Sequence, residues 1–314
     1  MKRFLLFAAL FAAFFASAQK LDKETFVYAV KGADTLRLDR YTSLSPDSRM
    51  SPCLIFAFGG GFFTGGRDES HYVPYLEYYA RQGWTVVSID YRRDLKTAVE
   101  RQTLTTENFA PALARAIDLA VEDLYDATAY VCAHAAEWHI DPTLIVASGS
   151  SAGAITALTG EYGICNGRPQ TRRLPAGFSY AGVIAFAGAI FEPCEELNWV
   201  RNPAPILFFH GDADRNVPYD VVRHGGNGFF GSKYIARQLT ERQTPHWFYS
   251  AANTDHSLAG RPLFENRREI DTFLEKMVLG RQPLLLETCV TPLDAPAQPK
   301  EFVMEDYIRA NFVR

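Results

Sequence analysis

The chain has 314 residues, of which 47% are hydrophobic, and its 32 basic and 36 acidic side chains give a formal net charge of −4 at pH 7. This length suffices for one large α/β domain with a sizeable core, and no Pro- or Ser-rich linker interrupts it. The slight acidic excess gives no basic footprint for nucleic acid or for an anionic membrane, so we expect a small or neutral partner.

Residues 1–18 have the three-part pattern of a secretory signal peptide. Lys2 and Arg3 precede an apolar run over 4–15, and small residues follow at 16–18. The run is too short to span a bilayer comfortably, and no cysteine lies beside the cleavage site for a lipid anchor. We therefore expect cleavage near Ala18, a secreted or periplasmic protein with no stable membrane anchor, and a single domain over 19–314.

Apolar segments alternate with segments of helical periodicity along most of the chain. Polar and apolar residues alternate within 25–30 and within 35–41, on either side of a turn at 31–34, and this predicts an antiparallel hairpin. Continuous apolar runs predict buried strands at 53–58, 84–91, 144–148, 183–187, 205–210 and 246–250. Helices are predicted at 72–82, 108–138, 232–243 and 262–277. The pattern predicts a mostly parallel central sheet of about eight strands with helices on both faces.

The last stretch, residues 280–314, is less periodic and contains four prolines. We expect it to be an extension that wraps the surface of the domain, with room for one helix turn or more within 301–311.

The most informative local pattern is the Gly-Ser-Ser-Ala-Gly sequence at 149–153, between a predicted strand and a predicted helix. A Gly-x-Ser-x-Gly nucleophile elbow requires this context, because the turn lifts the central serine clear of the sheet. That serine is Ser151. The alternative is a plain turn rich in small residues, so the choice depends on the residues at the ends of the other strands.

Three adjacent glycines, Gly59, Gly60 and Gly61, follow the first buried strand. Their unshielded amides can donate hydrogen bonds to developing negative charge, as an oxyanion hole requires. A plain turn and a phosphate-binding loop are the alternatives, but no Gly-Lys-Ser/Thr follows to support phosphate binding. Beside an elbow serine, we favour the oxyanion hole.

An acid and a base follow later strands. Asp212 and Asp214 come just after the strand that ends at His210, although carboxylates there can also be simple turn formers. We choose Asp214 as the acid that orients a catalytic imidazole, with Asp212 in reserve. Of the seven histidines, His256 alone lies downstream of the acid in a loop at the carboxyl end of a strand. Residues 211–218, which contain both aspartates, are called the acid loop here. We interpret His210 as a hydrogen-bonded residue that braces this loop.

Five cysteines, an odd number, lie after residue 18, so at least one thiol is free. None has the close spacing of a zinc site, and no metal or organic cofactor is expected. Export would permit disulfides, and Cys165 with Cys194 is the pair we expect if any forms.

Taken together, the chain resembles the α/β-hydrolase superfamily, and within it the carboxylesterases of the hormone-sensitive-lipase and acetyl-xylan or feruloyl esterase type. The resemblance covers about 26–279 and rests on Phe58-Gly59-Gly60-Gly61-Phe62, Asp90-Tyr91-Arg92, Ile140-Asp141-Pro142, 149–153, 210–214 with Val217-Pro218, and Asp255-His256. It implies Ser151 as nucleophile, His256 as base and Asp214 as acid, with oxyanion amides from Gly60, Gly61 and Ala152. Phe58 departs from the family, where such esterases usually carry a histidine; an apolar ring there can pack into the core instead.

The resemblance implies a serine carboxylic-ester hydrolase that works through an acyl-enzyme. Little or no cap domain is expected, because the connection between the strands at 183–187 and 205–210 has only about 17 residues. An open site suits short-chain, acetyl-type esters, including those of polysaccharides, unless residues 93–109 and 224–230 fold over it. Candidate substrate-binding residues are Phe62, Phe63, Phe229 and Phe230, although the alternative is that these aromatic side chains are simply buried, as such side chains more often are.

Two alternatives remain open. A serine peptidase of the prolyl-oligopeptidase type shares this fold and triad order, but no propeller domain precedes the catalytic segment here. A non-catalytic binding protein on the same fold is disfavoured by the intact set of serine, acid and histidine.

Overall fold

The computed structural model describes residues 21–43, 50–224, 226–306 and 308. The expected signal peptide and its cleavage site near Ala18 lie outside these residues. No helix in the described ranges has the length and apolar character needed to cross a membrane.

Twelve strands lie in the described part of the chain. They are β1 Leu21–Lys31, β2 Asp34–Ser43, β3 Ser51–Ala57, β4 Thr85–Ile89, β5 Ile140–Ser150, β6 Gly182–Phe186, β7 Ala189–Glu192, β8 Ile206–Gly211, β9 Val221–His224, β10 Asn227–Gly231, β11 His246–Ala251 and β12 Leu285–Val290. Nine of them form one sheet in the order β1-β2-β4-β3-β5-β6-β8-β11-β12. The hairpin β1–β2 is antiparallel and pairs antiparallel with β4. All other neighbours in this sheet are parallel, as predicted.

The helices connect these strands. They are α1 Val73–Arg81, α2 Lys96–Glu100, α3 Thr106–Ala133, α4 Ala152–Cys165, α5 Ser232–Glu241, α6 Pro262–Glu265 and α7 Arg267–Thr272, the last continued by a π-helical segment Phe273–Leu279. Short 3-10 turns occupy Pro169–Arg173 and His256–Ala259. Strands β4, β6 and β8 are buried along their whole length, since helices cover both faces of the sheet, and this explains their continuous apolar sequences.

The long helix α3 has a clear beginning and an unexpected end. Thr105 Oγ1 caps it by accepting a hydrogen bond from the Asn108 amide, and Asn108 Oδ1 accepts a hydrogen bond from the Thr105 amide. The sequence predicts a helix to residue 138, but α3 ends at Ala133 and a turn leads to β5. The C-terminal end of α3 therefore lies near the first residues of β5. Its N-terminal end lies near the opposite edge of the sheet, where the parallel strands end.

Three further features differ from the prediction. The extension after residue 280 adds the edge strand β12, which pairs parallel with β11, so the sheet has nine strands. The connection after β6 contains β7, which joins β10 and β9 in a second, antiparallel sheet of three strands. The predicted closing helix is broken at Asn266 into α6 and α7.

The expected pairing of Cys165 with Cys194 is wrong, because all five cysteines are free thiols. Cys165 is buried at the end of α4, where its Sγ lies 3.5 Å from Glu161 Oε1. Burial raises the pKa of both thiols.

Candidate active site

Ser151 occupies a strained turn between β5 and α4. Its backbone has φ 52° and ψ −116°, a left-handed value that a non-glycine residue adopts only at a cost. The turn is this tight because glycines flank it: a Cβ atom on Gly149 would lie 2.2 Å from the Gly153 carbonyl oxygen. A Cβ atom on Gly153 would lie 2.1 Å from the carbonyl oxygen of Ala57 at the end of β3. The Ser151 amide donates to the carbonyl of Phe186 at 2.8 Å, which anchors the turn to β6.

The structure brings Ser151, Asp214 and His256 into one hydrogen-bonded chain. His256, in the 3-10 turn after β11, places Nε2 2.8 Å from Ser151 Oγ and Nδ1 2.7 Å from Asp214 Oδ2. A carboxylate can only accept a hydrogen bond, so Nδ1 carries the hydrogen and donates a hydrogen bond to Asp214. Nε2 is then left to accept the hydroxyl proton of Ser151, which is what activation of a serine requires.

The Asp214 carboxylate is buried and surrounded by donors. Oδ1 accepts from the amides of Asn216 at 2.8 Å and Val217 at 3.0 Å. Oδ2 accepts a hydrogen bond from His256 Nδ1, and His210 Nε2 lies 3.3 Å from the same oxygen. Burial alone would raise the pKa of Asp214, but the interactions with His256 and His210 outweigh it and hold that pKa well below its usual range. The carboxyl group is therefore ionised at any ordinary pH.

His210 braces the acid loop, as interpreted from the sequence. Its side chain is 0% exposed, and Nδ1 lies 2.8 Å from Ser232 Oγ at the start of α5. Asp212, the reserve acid, has a different environment: Oδ1 accepts from the amide of Asn253 at 2.7 Å and Oδ2 from Lys300 at 2.6 Å. Asp212 thus links the acid loop to the loop that precedes His256, while Asp214 binds the imidazole.

The glycine loop after β3 adopts backbone angles that favour glycine. Gly60 has φ +132° and Gly61 φ +60°, and a Cβ atom on Gly60 would lie 2.3 Å from the Thr64 carbonyl oxygen. The Gly60 carbonyl accepts from the amides of Phe63 and Thr64, closing a tight turn. No residue in the described part of the chain accepts a hydrogen bond from the Gly60 or Gly61 amide. Unpaired amides in such a loop are what an oxyanion hole offers to a ligand.

The third candidate donor, the amide of Ala152, is the first of helix α4. The first amides of a helix have no intrahelical acceptor, so this one is available at the elbow. The glycine loop lies against the same elbow, since a Cβ atom on Gly59 would be 3.2 Å from both the carbonyl oxygen and Oγ of Ser150.

Aromatic side chains support the glycine loop. The Phe58 ring is buried and stacks on Tyr91 with ring centroids 4.3 Å apart. Tyr91 donates its hydroxyl to the Phe58 carbonyl at 2.8 Å, and Tyr72 Oη accepts from the Gly59 amide at 3.0 Å. The expected packing of Phe58 into the core is confirmed.

Of the four phenylalanines predicted to line the cleft, three are fully buried in the hydrophobic core. These are Phe62, Phe229 and Phe230. Phe229 and Phe230 are neighbours in β10, so their side chains point to opposite faces of the second sheet, and both are buried there. A strand of five residues is too short for sequence periodicity to predict this. Phe63 is partly exposed and alone keeps a surface open to a substrate.

Sequence reasoning missed Ser150, which joins two parts of the site. Its buried Oγ donates to the carbonyl of Ala259 at 2.8 Å, so the elbow is tied to the turn that begins with His256. The only signal in the sequence is its position beside the nucleophile, in the variable place of Gly-x-Ser-x-Gly. In the described ranges no group of three or more His, Cys, Asp or Glu is arranged to hold a metal ion.

Comparisons with known proteins agree with this architecture. The BD-FAE family model matches residues 38–168, which include the glycine loop and Ser151. Similar solved structures include esterase Est2 of the planctomycete Thermogutta terrifontis bound to propionate, with 21% identity, a TM-score of 0.58, and 81% of this chain and 94% of that chain covered. The butyrate-bound form has 20% identity, a TM-score of 0.60 and the same coverage.

The Est2 protein phosphoramylated by tabun is also similar, with 21% identity, a TM-score of 0.57, and 81% of this chain and 94% of that chain covered. No curated protein matches the chain by sequence. At this level of identity, the structural likeness establishes the α/β-hydrolase fold.

Proposed function

We propose that this α/β-hydrolase-fold protein is a serine carboxylic-ester hydrolase. The observation that carries the proposal is the continuous hydrogen-bonded chain from Ser151 Oγ through His256 to Asp214, with distances of 2.8 and 2.7 Å. This arrangement supports nucleophilic attack by a serine, with the base already oriented and in the required tautomer.

The first half of the proposed reaction acylates Ser151. As Oγ bonds to the ester carbonyl carbon, its proton passes to His256 Nε2. The carbonyl oxygen becomes an oxyanion, which the amides of Gly60, Gly61 and Ala152 stabilise. The tetrahedral intermediate then collapses, the bond to the alcohol oxygen breaks, and the alcohol leaves with the proton that His256 returns.

The second half releases the acid. Water loses a proton to His256 Nε2 as its oxygen attacks the acyl carbon, and the intermediate collapses to return Ser151 Oγ with that proton. In each half the imidazole becomes a cation, which the ionised Asp214 stabilises. Asp214 contributes through charge and orientation and does not itself take the proton.

We further propose that the substrates are esters of short acyl groups, including acetyl groups carried by carbohydrates. The connections that follow β6 and β8 contribute only three short strands, β7, β9 and β10, where a helical cap could stand, and this supports an open site. The binding of propionate and butyrate by the structurally similar Est2 supports a short acyl group. The pattern over residues 1–18 supports export of the protein.

A panel of 4-nitrophenyl esters from acetate to palmitate, assayed beside proline amides, tests the reaction class. We expect the highest kcat/KM for acetate to butyrate and no measurable amide cleavage. Preference for proline amides would support the peptidase alternative. Absence of any turnover would support the binding-protein alternative.

A further inference from the structure

We propose that residues 291–306, which we call the C-terminal strap, form one wall of the substrate cleft, and that the apolar cavity beneath them receives the uncharged apolar end of the ester. This proposal rests on the proposed esterase function. It concerns an element for which the sequence predicts only a surface extension.

The strap begins beside the loop that carries the base. It leaves the edge strand β12 at Val290, whose carbonyl accepts from the Ala252 amide at 2.8 Å, four residues before His256. Farther along, the Gln298 amide lies 3.5 Å from Asn253 Oδ1 in the same loop. The strap thus runs along the carboxyl-end edge of the sheet, where the reactive groups of an open α/β sheet collect.

Two ion pairs then hold the strap on either side of the acid. Lys300 Nζ lies 2.6 Å from Asp212 Oδ2, and Arg215 Nη2 lies 2.5 Å from Asp306 Oδ1. These partners flank Asp214 in sequence. Each pair joins a half-exposed cation to a largely buried carboxylate, and together they fix the position of the strap over the acid loop.

A cavity of about 430 Å³ lies between the strap, α3 and the second sheet. Its apolar walls come from Phe109 and Ala110 of α3, Phe191 of β7, Met304 of the strap, and Ile308 just beyond the strap. This volume is in the range of small-molecule sites, which are mostly apolar with a few polar groups at the rim.

The topology places this cavity at the nucleophile's edge of the sheet. The N-terminal end of α3 lies at that edge, because its other end leads into the start of β5. Strand β7 directly follows β6, and the intervening Gly188 packs on the first turn of α4: a Cβ atom there would lie 2.8 Å from Ala154 Cβ. Ala154 is three residues after Ser151, so the chain that carries Phe191 into the cavity wall starts beside the first turn of the nucleophile's helix.

The charges at the rim restrict what can enter. Glu107 and Glu305 both border the cavity, and the polar groups beside them, Thr106 and Asn227, are neutral. Two carboxylates and apolar walls disfavour an anionic substituent, since like charges repel and an unpaired charge is costly to desolvate. The apolar walls favour an uncharged hydrocarbon group of the ester as the occupant, because a charged group would lose its hydration there.

Substitutions at Met304, which is 8% exposed, test the proposal. Met304→Trp fills the cavity and Met304→Ala enlarges it. Leu293→Trp is the matched control, because Leu293 lies in the same strap and is 98% exposed. Two substrate series separate the two ends of the ester: 4-nitrophenyl acyl esters of increasing length, and acetate esters of alcohols of increasing length.

We expect Met304→Trp to lower kcat/KM for octanoyl relative to acetyl groups, or for octyl relative to ethyl alcohols, by about tenfold or more, as methylenes lose their place in the pocket. Met304→Ala should change the same ratio in the opposite direction, and Leu293→Trp should leave it within about twofold. Retained turnover of the smallest ester shows that each variant is folded.

Unchanged ratios in both series for both Met304 variants would overturn the proposal. If Met304→Trp fails to fold, Met304→Ala alone decides between the two results. A wild-type protein that hydrolyses no ester would instead contradict the esterase function, so the two failures are distinguishable.

Discussion

Replacement of Asp214 by asparagine probes the geometry of the site. The carboxylate offers two acceptor oxygens, one to the backbone amides of Asn216 and Val217 and the other to His256 and His210. An amide side chain has one oxygen and one NH₂ group. If the NH₂ faces the two backbone amides, donors oppose donors, so the oxygen should take that side and the NH₂ should face His256.

This orientation of the amide reverses the tautomer of His256. An NH₂ group donates to Nδ1, so the proton of the neutral imidazole moves to Nε2, which then faces Ser151 as a donor and cannot take the hydroxyl proton. We expect kcat for 4-nitrophenyl acetate to fall on the order of 10⁴-fold in Asp214→Asn, with little change in KM.

Asp212→Asn is the matched control because it changes the same chemical group two residues away. Asp212 binds Asn253 and Lys300, so its loss should weaken the loop contacts and lower kcat far less. A kcat within tenfold of wild type in Asp214→Asn, or a larger loss in Asp212→Asn, would refute the assignment of the acid.

Three further predictions concern the rest of the site. Gly61→Pro should lower kcat about 100- to 1000-fold, because proline removes the amide and cannot adopt φ +60°, whereas Ser257→Ala should retain activity; comparable rates in both would argue against the oxyanion hole. Ser150→Ala should lower the free energy of unfolding by about 1–3 kcal/mol in urea titrations, since it leaves the Ala259 carbonyl without its donor; an unchanged midpoint would contradict this. The lowered pKa of Asp214 means that its ionised form stabilises the fold above the unfolded pKa of about 3.9, and that this contribution is lost as pH falls towards the folded pKa. As pH falls through this range, the free energy of unfolding should therefore decline less steeply in Asp214→Asn than in wild type. Equal slopes would contradict the lowered pKa of Asp214.

The alternation of strands and helices could be read from the sequence because each buried strand is a continuous apolar run. Strand β12 could not, since its residues alternate between exposed and half-buried and lie between prolines. The second sheet was missed because β7 and β9 have only four residues each, too few to show a period. Such strands are stabilised by pairing with distant partners, which a local pattern does not encode.

Much of the site could also be predicted from the sequence, because each reactive residue follows its own strand and the carboxyl ends of parallel strands meet at one edge of the sheet. The choice of Asp214 over Asp212 could be made only as a preference, since both lie in one loop. Their different partners depend on loop conformation and on Lys300, which lies 88 residues away from Asp212. The burial of Phe229 and Phe230 likewise follows from tertiary packing and leaves no local signal.

The most direct test of the central claim is covalent labelling with a fluorophosphonate probe, followed by mass spectrometry of the modified peptide. A serine activated by His256 attacks phosphorus as it would an ester carbonyl, and the adduct is stable. We predict one adduct, on Ser151, in the wild-type protein and none in Ser151→Ala. Equal labelling of the two proteins, or no labelling of the wild type, would contradict the assignment of Ser151 as the nucleophile.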